Sequence, residues 1–293
     1  MSTNGGKTIV AIGEILWDCF PEGKQLGGAP FNFAYHAGKL GTKAFLLSAI
    51  GNDREGNEAK VKAESLSIET ILLQINEYPT GTVVVKTDVN GIPDYRISSP
   101  AAWDHIERKE RDKDIIQKAD ALCFGSLAQR NKVSRNTIQY LIDTASPSTL
   151  IVFDINLRQH FYTEETIVES LKKTDVLKLN EDELPVVCQL SDIDCKSEKK
   201  AIQAICSMYN IALIAYTKGE SGSYLYNNEE FSFMESPKVN VSDTVGAGDA
   251  FTAALVTGYM DRMDLRRIHR RSIDLAAFVC TKEGATPEYK YSN

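Results

Sequence analysis

No apolar run in this 293-residue chain is long enough to span a membrane, and Met1–Lys7 is polar, so neither a membrane span nor a secretory leader is expected. Excess positive charge is missing too. Lys and Arg total 33 against 40 Asp and Glu, a formal charge of −7, which gives no long-range attraction to nucleic acid or to an anionic membrane. An anionic ligand must then be captured locally, by helix N-termini, a few arginines and a divalent metal. The six cysteines, at 19, 123, 188, 195, 206 and 280, form no C-x-x-C pair and no zinc-ligand spacing. Most read as small core residues, and the expected compartment is cytoplasmic and reducing. Repeats, low-complexity tracts and a true linker are also lacking. Gly6-Lys7-Thr8 has the ending of a Walker A loop but precedes the first strand and lacks the earlier glycine. Asn240-Val241-Ser242 is a glycosylation sequon in spelling only.

What is present is ordinary globular composition, 43% hydrophobic and 25% charged, in a chain able to bury a large core as one α/β domain or a domain with a small appendage. Short β-branched runs at 8–12, 43–49, 121–124, 150–154, 176–179 and 211–217 alternate with helical patterns at 31–40, 133–145, 165–173 and 199–209. Alternating strand and helix units imply a mostly parallel sheet covered on both faces. Two stretches break the rhythm. Ile15–Phe20 continues directly from the first strand, and Thr80–Ile97 gives a strand, a turn at Asn90-Gly91-Ile92-Pro93 and a second strand. They could pair as a small antiparallel layer outside the main sheet.

The chemistry concentrates where Asp243-Thr-Val-Gly-Ala-Gly-Asp249 runs into a small-residue amphipathic helix. Gly246, Ala247 and Gly248 allow successive backbone N–H groups to face one point at a helix N-terminus, which favours an anion. Asp249, in the first turn, can accept a proton from a hydroxyl lying beside that anion. The competing account is an ordinary first-turn Asp on a core helix with glycines for packing.

Asp243-Thr-x-Gly-Ala-Gly-Asp249 resembles the C-terminal signature of the ribokinase-like (PfkB) family of sugar and nucleoside kinases, and the family's other blocks follow in order. Gly13-Glu-Ile-Leu-Trp-Asp18 looks like the first-strand segment, and Gly27-Gly-Ala-Pro-Phe-Asn-Phe-Ala34 looks like the N-terminal glycine block. Asp154-x-Asn156-x-Arg158, Asn180-x-x-Glu183 and Thr217-Lys-Gly-x-x-Gly222 complete the set, so the resemblance spans roughly Ile9 to Pro287. It implies a three-layer αβα fold over residues 1–293, a mostly parallel central sheet and a small β-strand lid from about 15–20 and 80–97.

The implied activity is ATP-dependent transfer of the γ-phosphoryl group to a primary hydroxyl of a small sugar, with Asp249 as base and the amides of Gly246, Ala247 and Gly248 stabilising charge. Arg158 would contact the transferring group; alternatively it closes a turn by pairing with Asp154. Asp18 and Asn32 would hold the acceptor, with Gly28 allowing close approach and Arg96 reaching in from the lid. Trp17, Phe31 and Trp103 either shape that pocket or belong to the core. ATP would meet Asn180, Thr217, Lys218, Gly219, Gly222 and Gly248, though 217–222 also reads as a plain hairpin connection. Glu183 would orient the water shell of Mg²⁺, or else cap a helix with Asn180. Asp243 would border a monovalent cation site, so K⁺ activation is an expectation. The wording most resembles bacterial fructokinases. A 2-keto-3-deoxygluconate kinase, another sugar or nucleoside kinase of the same fold, and a catalytically silent sugar sensor are the alternatives. Expected partners are the sugar, ATP and a second subunit docked through the lid.

Overall fold

The structure is a computed structural model that describes residues 6–87 and 93–290. The chain opens with β1 (Thr8–Ile12), β2 (Leu16–Phe20), β3 (Gly23–Gly27) and α1 (Ala29–Lys39). Next come β4 (Lys43–Leu47), β5 (Ala49–Gly51), α2 (Arg54–Ser65), β6 (Gln74–Asn76), β7 (Gly81–Thr87) and β8 (Pro93–Ile97). The middle holds α3 (Lys113–Gln117), β9 (Ala121–Phe124), α4 (Lys132–Thr144), β10 (Leu150–Asp154), α5 (Glu164–Leu171), β11 (Val176–Asn180) and α6 (Glu183–Leu190). It ends with α7 (Glu198–Tyr209), β12 (Leu213–Thr217), β13 (Ser223–Tyr226), β14 (Phe231–Met234), α8 (Ala247–Met260) and α9 (Leu265–Cys280).

Eight strands form the main sheet in the order β14-β13-β12-β11-β10-β9-β1-β4. Pairing is parallel from β12 to β4, and β13 and β14 are added antiparallel at the other edge. Strand residues alternate between two apolar layers, because successive side chains leave opposite faces. Val10, Ile12, Leu122, Phe124, Ile151 and Phe153 join α4 to α7 on one face. Ile9, Ala11, Ala121, Cys123, Val152 and Val176 join α1, α2, α8 and α9 on the other. This is the ribokinase-like three-layer α/β architecture, with helices on both faces as a parallel sheet requires.

Helix starts follow local chemistry. Asp53, Asn131, Thr163 and Asp264 cap α2, α4, α5 and α9 by accepting first-turn backbone N–H groups. α8 differs: it begins at Gly246 in the left-handed region at φ 78°, with no side-chain cap among the described residues, and Ala247 N donates back to the Thr244 carbonyl at 3.3 Å.

Three expectations change on detail. The run at 43–49 divides into β4 and β5, and β5 leaves the main sheet to pair with β6 in a two-stranded unit. The extra layer is a four-stranded sheet, β3-β2-β7-β8, and it is mixed, because β2 runs parallel to β7 while the outer pairs are antiparallel. β3, a Gly-Lys-Gln-Leu-Gly segment with little β propensity, gave no strand signal and is recruited by pairing with β2. The turn read at Asn90-Gly91 lies outside the described residues. Trp17, Phe31 and Trp103 are core residues, at 7%, 0% and 0% exposure. Among the described residues, no helix is long and apolar enough to cross a membrane.

Phe153 is fully buried in β10 and stacks on Phe124 with ring centroids 4.9 Å apart. Phe153→Ala is therefore expected to destabilise the fold by about 3–5 kcal/mol, the usual range for opening an aromatic-sized cavity. A lowered denaturation midpoint at unchanged m-value would show it; a loss below about 1 kcal/mol would mean that the layer collapses around the gap.

Candidate active site

Parallel pairing sends the chain out of β1, β10, β11 and β12 at one edge of the sheet, the edge where ligands sit in open α/β folds. The loop after β1, the start of α1, the loop after β10 and the N-terminus of α8 meet there. Asn32, in α1 and 4% exposed, donates from Nδ2 to Asp249 Oδ2 at 2.8 Å. Its Oδ1 is buried without a hydrogen-bond partner among the described residues. One contact thus joins the glycine block near the N-terminus to the signature near the C-terminus.

Asp249 is half-buried in the first turn of α8. Burial pushes its pKa up to about 6, and the Asp154 carboxylate adds to the rise, while the Asn32 hydrogen bond, Lys178 and Arg158 pull it down. At neutral pH it is mostly ionised and can take a proton. Glu14, in the loop after β1, is 3% exposed, and burial raises it to about 7 against its own backbone N–H and Arg158. Asp18, in β2, rises to about 6 for the same first reason, opposed by Arg158. Arg158 is itself exposed, yet its charge acts on all three carboxylates.

Gly28 explains the close approach. At φ 108° it precedes α1, and a Cβ there would lie 2.5 Å from the Glu14 carbonyl oxygen. Gly246 is similarly constrained, since its Cβ would lie 2.5 Å from the Ala285 Cβ. Asp243 organises the approach to α8: Oδ1 accepts from Val245 N at 3.0 Å and Oδ2 from Gly284 N at 3.1 Å.

Asp154, Asn156 and Arg158 do not continue β10 as extended chain. Asn156 takes φ 47°, a left-handed turn that Asn tolerates, so the three side chains do not share a face of extended chain. Nor does Asp154 pair with Arg158. Asp154 Oδ1 sits 3.1 Å from Lys178 Nζ and Oδ2 accepts from Thr252 Oγ1 at 2.7 Å, all three residues being buried. Arg158 Nη1 donates to the Leu157 carbonyl at 3.1 Å.

Asn180 and Glu183 form the capping arrangement. Asn180 Oδ1 accepts from Asp182 N and Glu183 N, at 2.9 and 3.0 Å, and Glu183 Oε2 accepts from Asn180 N at 2.8 Å. Glu183 Oε1 accepts from Leu157 N at 2.9 Å, so this buried carboxylate fastens the loops after β10 and β11 together. Among the described residues no group of three or more His, Cys, Asp or Glu could hold a metal. Both Glu183 oxygens accept backbone N–H groups, so a Mg²⁺ ion near this carboxylate would meet it through water.

Thr217, Lys218, Gly219 and Gly222 lie in the β12–β13 hairpin, with the glycines at φ 49° and 109°. A Cβ on Gly222 would lie 2.2 Å from the Met234 carbonyl, which is a packing reason for that glycine. Lys218 Nζ is held by Glu198 at 2.9 Å. Arg96 lies in β8 in register with Val84, exposed on the small sheet. Lys178, Thr252 and Glu14 were not singled out from sequence. The available signal was a lysine inside the apolar run Val176-Leu177-Lys178-Leu179.

Residues 14–290 match the family model for pfkB family carbohydrate kinases. A Pyrococcus horikoshii protein described as a sugar kinase is 31% identical, over 94% of this chain and 91% of its own. An Escherichia coli fructokinase is 28% identical, over 94% of this chain and 93% of its own. A crystal structure of the Pyrococcus horikoshii sugar kinase in complex with ATP superimposes with a TM-score of 0.81 at 29% identity, covering 95% of this chain and 94% of that one.

The Asn32 bond favours ionised Asp249, so its loss should raise the pKa. In Asn32→Ala the Asp249 carboxyl is expected to titrate above the native value of about 6, followed by carbon-detected NMR. A downward or absent shift would show that the contact does not act on the carboxylate.

Proposed function

The chain belongs to the pfkB family of carbohydrate kinases, and from that premise we propose that it transfers the γ-phosphoryl group of ATP to a primary hydroxyl of fructose. The phosphotransferase class follows from the family; the acceptor and the residue roles are our reading. The observation that carries it is the 2.8 Å contact between Asn32 and Asp249 at the N-terminus of α8. In this reading it joins an amide that would bind the polyol, a carboxylate able to take a proton and a helix end that would hold an anion.

In this reading Asp18, Asn32 and Gly28 hold the sugar, and Arg96 approaches from the small sheet. Asp249 removes the hydroxyl proton as the new P–O bond forms. The amides of Gly246, Ala247 and Gly248 face the transferring oxygens, with Arg158 opposite. Phosphoryl transfer needs chiefly alignment and charge stabilisation, so this set suffices. Asn180, Thr217, Lys218, Gly219 and Gly222 border the nucleotide. Mg²⁺ on the nucleotide would neutralise phosphate charge, with Glu183 orienting its water indirectly, and Asp243 would border the monovalent cation.

The sheet β3-β2-β7-β8 is the proposed lid. It is anchored on α2 by Trp17 Nε1 donating to the Glu55 carbonyl at 2.9 Å and by Lys24 against Glu58 at 2.6 Å. Its edge strands β3 and β8 are where a second subunit would add. Lid closure would exclude water and limit ATP hydrolysis.

ADP release with Mg²⁺-ATP is expected to be fastest with fructose in a panel that also holds ribose, tagatose, 2-keto-3-deoxygluconate and adenosine, and to rise with K⁺. A preference for 2-keto-3-deoxygluconate would replace the acceptor, and no turnover with any would favour a silent sensor. Asp249→Asn is expected to lower kcat by about two to four orders of magnitude with ATP binding retained; near-normal turnover would remove Asp249 from the base role. Backbone hydrogen exchange over Leu16–Phe20 and Gly81–Thr87 is expected to slow when fructose binds with a non-hydrolysable nucleotide. Unchanged exchange would sink the lid.

A further inference from the structure

Asp154 and Lys178 stand in register on neighbouring strands, on the sheet face beneath α8. The strand residues around them on that face, Val152, Val176, Leu213 and Ala215, are apolar with no exposure. A buried ion pair in such a layer is a poor way to gain stability, since apolar residues of similar size do as well or better. Its placement points to another use. Asp154 holds Lys178 Nζ at 3.1 Å with one oxygen and Thr252 Oγ1 at 2.7 Å with the other. β10 and β11 are thereby tied to α8, one turn past Asp249.

An ammonium has three protons. Among the described residues, Asp154 is the single hydrogen-bond partner of Lys178 Nζ. A Cβ built on Gly248 would lie 3.3 Å from that nitrogen. The ammonium therefore sits directly behind the first-turn amides of α8, and the glycine leaves room for it.

We propose that Lys178 is a positioning residue for phosphoryl transfer: held by Asp154, its ammonium adds a full positive charge behind the Gly246–Gly248 amides and keeps Asp249 ionised. The proposal rests on the reading of Asp249 as base and adds a residue to it. Burial alone would make Lys178 shed its proton, but Asp154, Glu183 and Asp249 outweigh burial and hold its pKa above the usual lysine value. The charge is thus permanent at any working pH. The charged groups facing Asp249 are Asp154 from β10, Lys178 from β11, Arg158 from the loop after β10 and Glu14 from the loop after β1. Arg158 is exposed and screened by water, whereas Lys178 acts through a buried, weakly polarisable path. Lys178 offsets Asp154, whose carboxylate otherwise drives Asp249 to keep its proton.

The test compares Lys178→Met, Asp154→Asn and the double variant in the full chain. Asp249 titration is followed by carbon-detected NMR without substrate, and single-turnover transfer is followed at about pH 8, where the base is ionised, with whichever acceptor turns over. Lys178→Met is expected to raise the Asp249 pKa by about one unit, the effect of losing a nearby opposite charge. Asp154→Asn is expected to lower it, and the double variant to fall back to the wild-type value or below. The double variant removes both buried charges and so retains the fold even where a single variant does not. Its single-turnover rate is expected to stay at least about tenfold below wild type, a little over 1.36 kcal/mol of lost transition-state stabilisation. A purely structural pair predicts that the double variant recovers the wild-type rate. That recovery, or an unmoved Asp249 titration in a folded Lys178→Met protein, overturns the proposal. Because the titration needs no turnover, failure of the kinase reading is seen separately, as the absence of transfer to any acceptor.

Discussion

Parallel register between β10 and β11 is the constraint from which the site follows. It places Asp154 beside Lys178 at the sheet edge, and it delivers the loops after both strands to one rim. Glu183 then binds those loops together by accepting from Leu157 N and Asn180 N, while Thr252 draws α8 down onto the pair through Asp154. The first turn of α8 is consequently fixed against β10 and β11 at once. Asn32 adds a third element, α1. A helix N-terminus free to move would lose its value as an anion site, because electrostatic stabilisation works only when the dipoles need no reorganisation during the reaction.

The electrostatics of this rim resolve an apparent conflict in an acidic protein of formal charge −7. Glu14, Asp18, Asp154 and Asp249 gather close to where an anionic nucleotide would have to come. Burial raises the first two and Asp249 to between about 6 and 7, so part of that negative charge is withdrawn at neutral pH. Lys178 is held charged and Arg158 faces the same carboxylates. The local field is therefore much less negative than a count of acids suggests.

The strands β1, β4, β9, β10, β11 and β12 were legible because each is a short β-branched or apolar run bounded by turn residues, as were α1, α4, α5 and α7 from their apolar stripes, whereas β14, α2 and α9 were not read. The turn into α8 was legible for a different reason: a left-handed position there favours glycine, and Gly246 adopts it. β3 was not legible, since its strand character comes entirely from its partner β2. Asp154 was noticed within its motif, but its partner was not legible. The choice between Arg158, four residues on, and Lys178, one strand over, depends on the left-handed turn at Asn156, a backbone event that spacing alone does not encode. Thr252 was hidden for a related reason: within an Ala-rich helix a threonine reads as filler until a buried carboxylate is placed opposite it.

The acceptor is the least legible feature, and the geometry shows why. The base, the helix end and the charge couple are built from strands and helices in the rigid layers, where neighbours over-determine each side chain. The groups proposed for the sugar come partly from the small sheet. Asp18 is in β2 and Arg96 in β8, and Gln25 of β3 reaches the far side, its Oε1 lying 2.8 Å from where a Cβ on Gly284 would be. β3 therefore touches the chain that follows α9, and Gly284 donates to Asp243, the residue that shapes the entry to α8. Under the proposed reading, seating of the small sheet is coupled through one short path to the start of α8, and acceptor specificity would then depend on how the sugar completes that path as well as on which hydroxyls Asp18 and Asn32 bind.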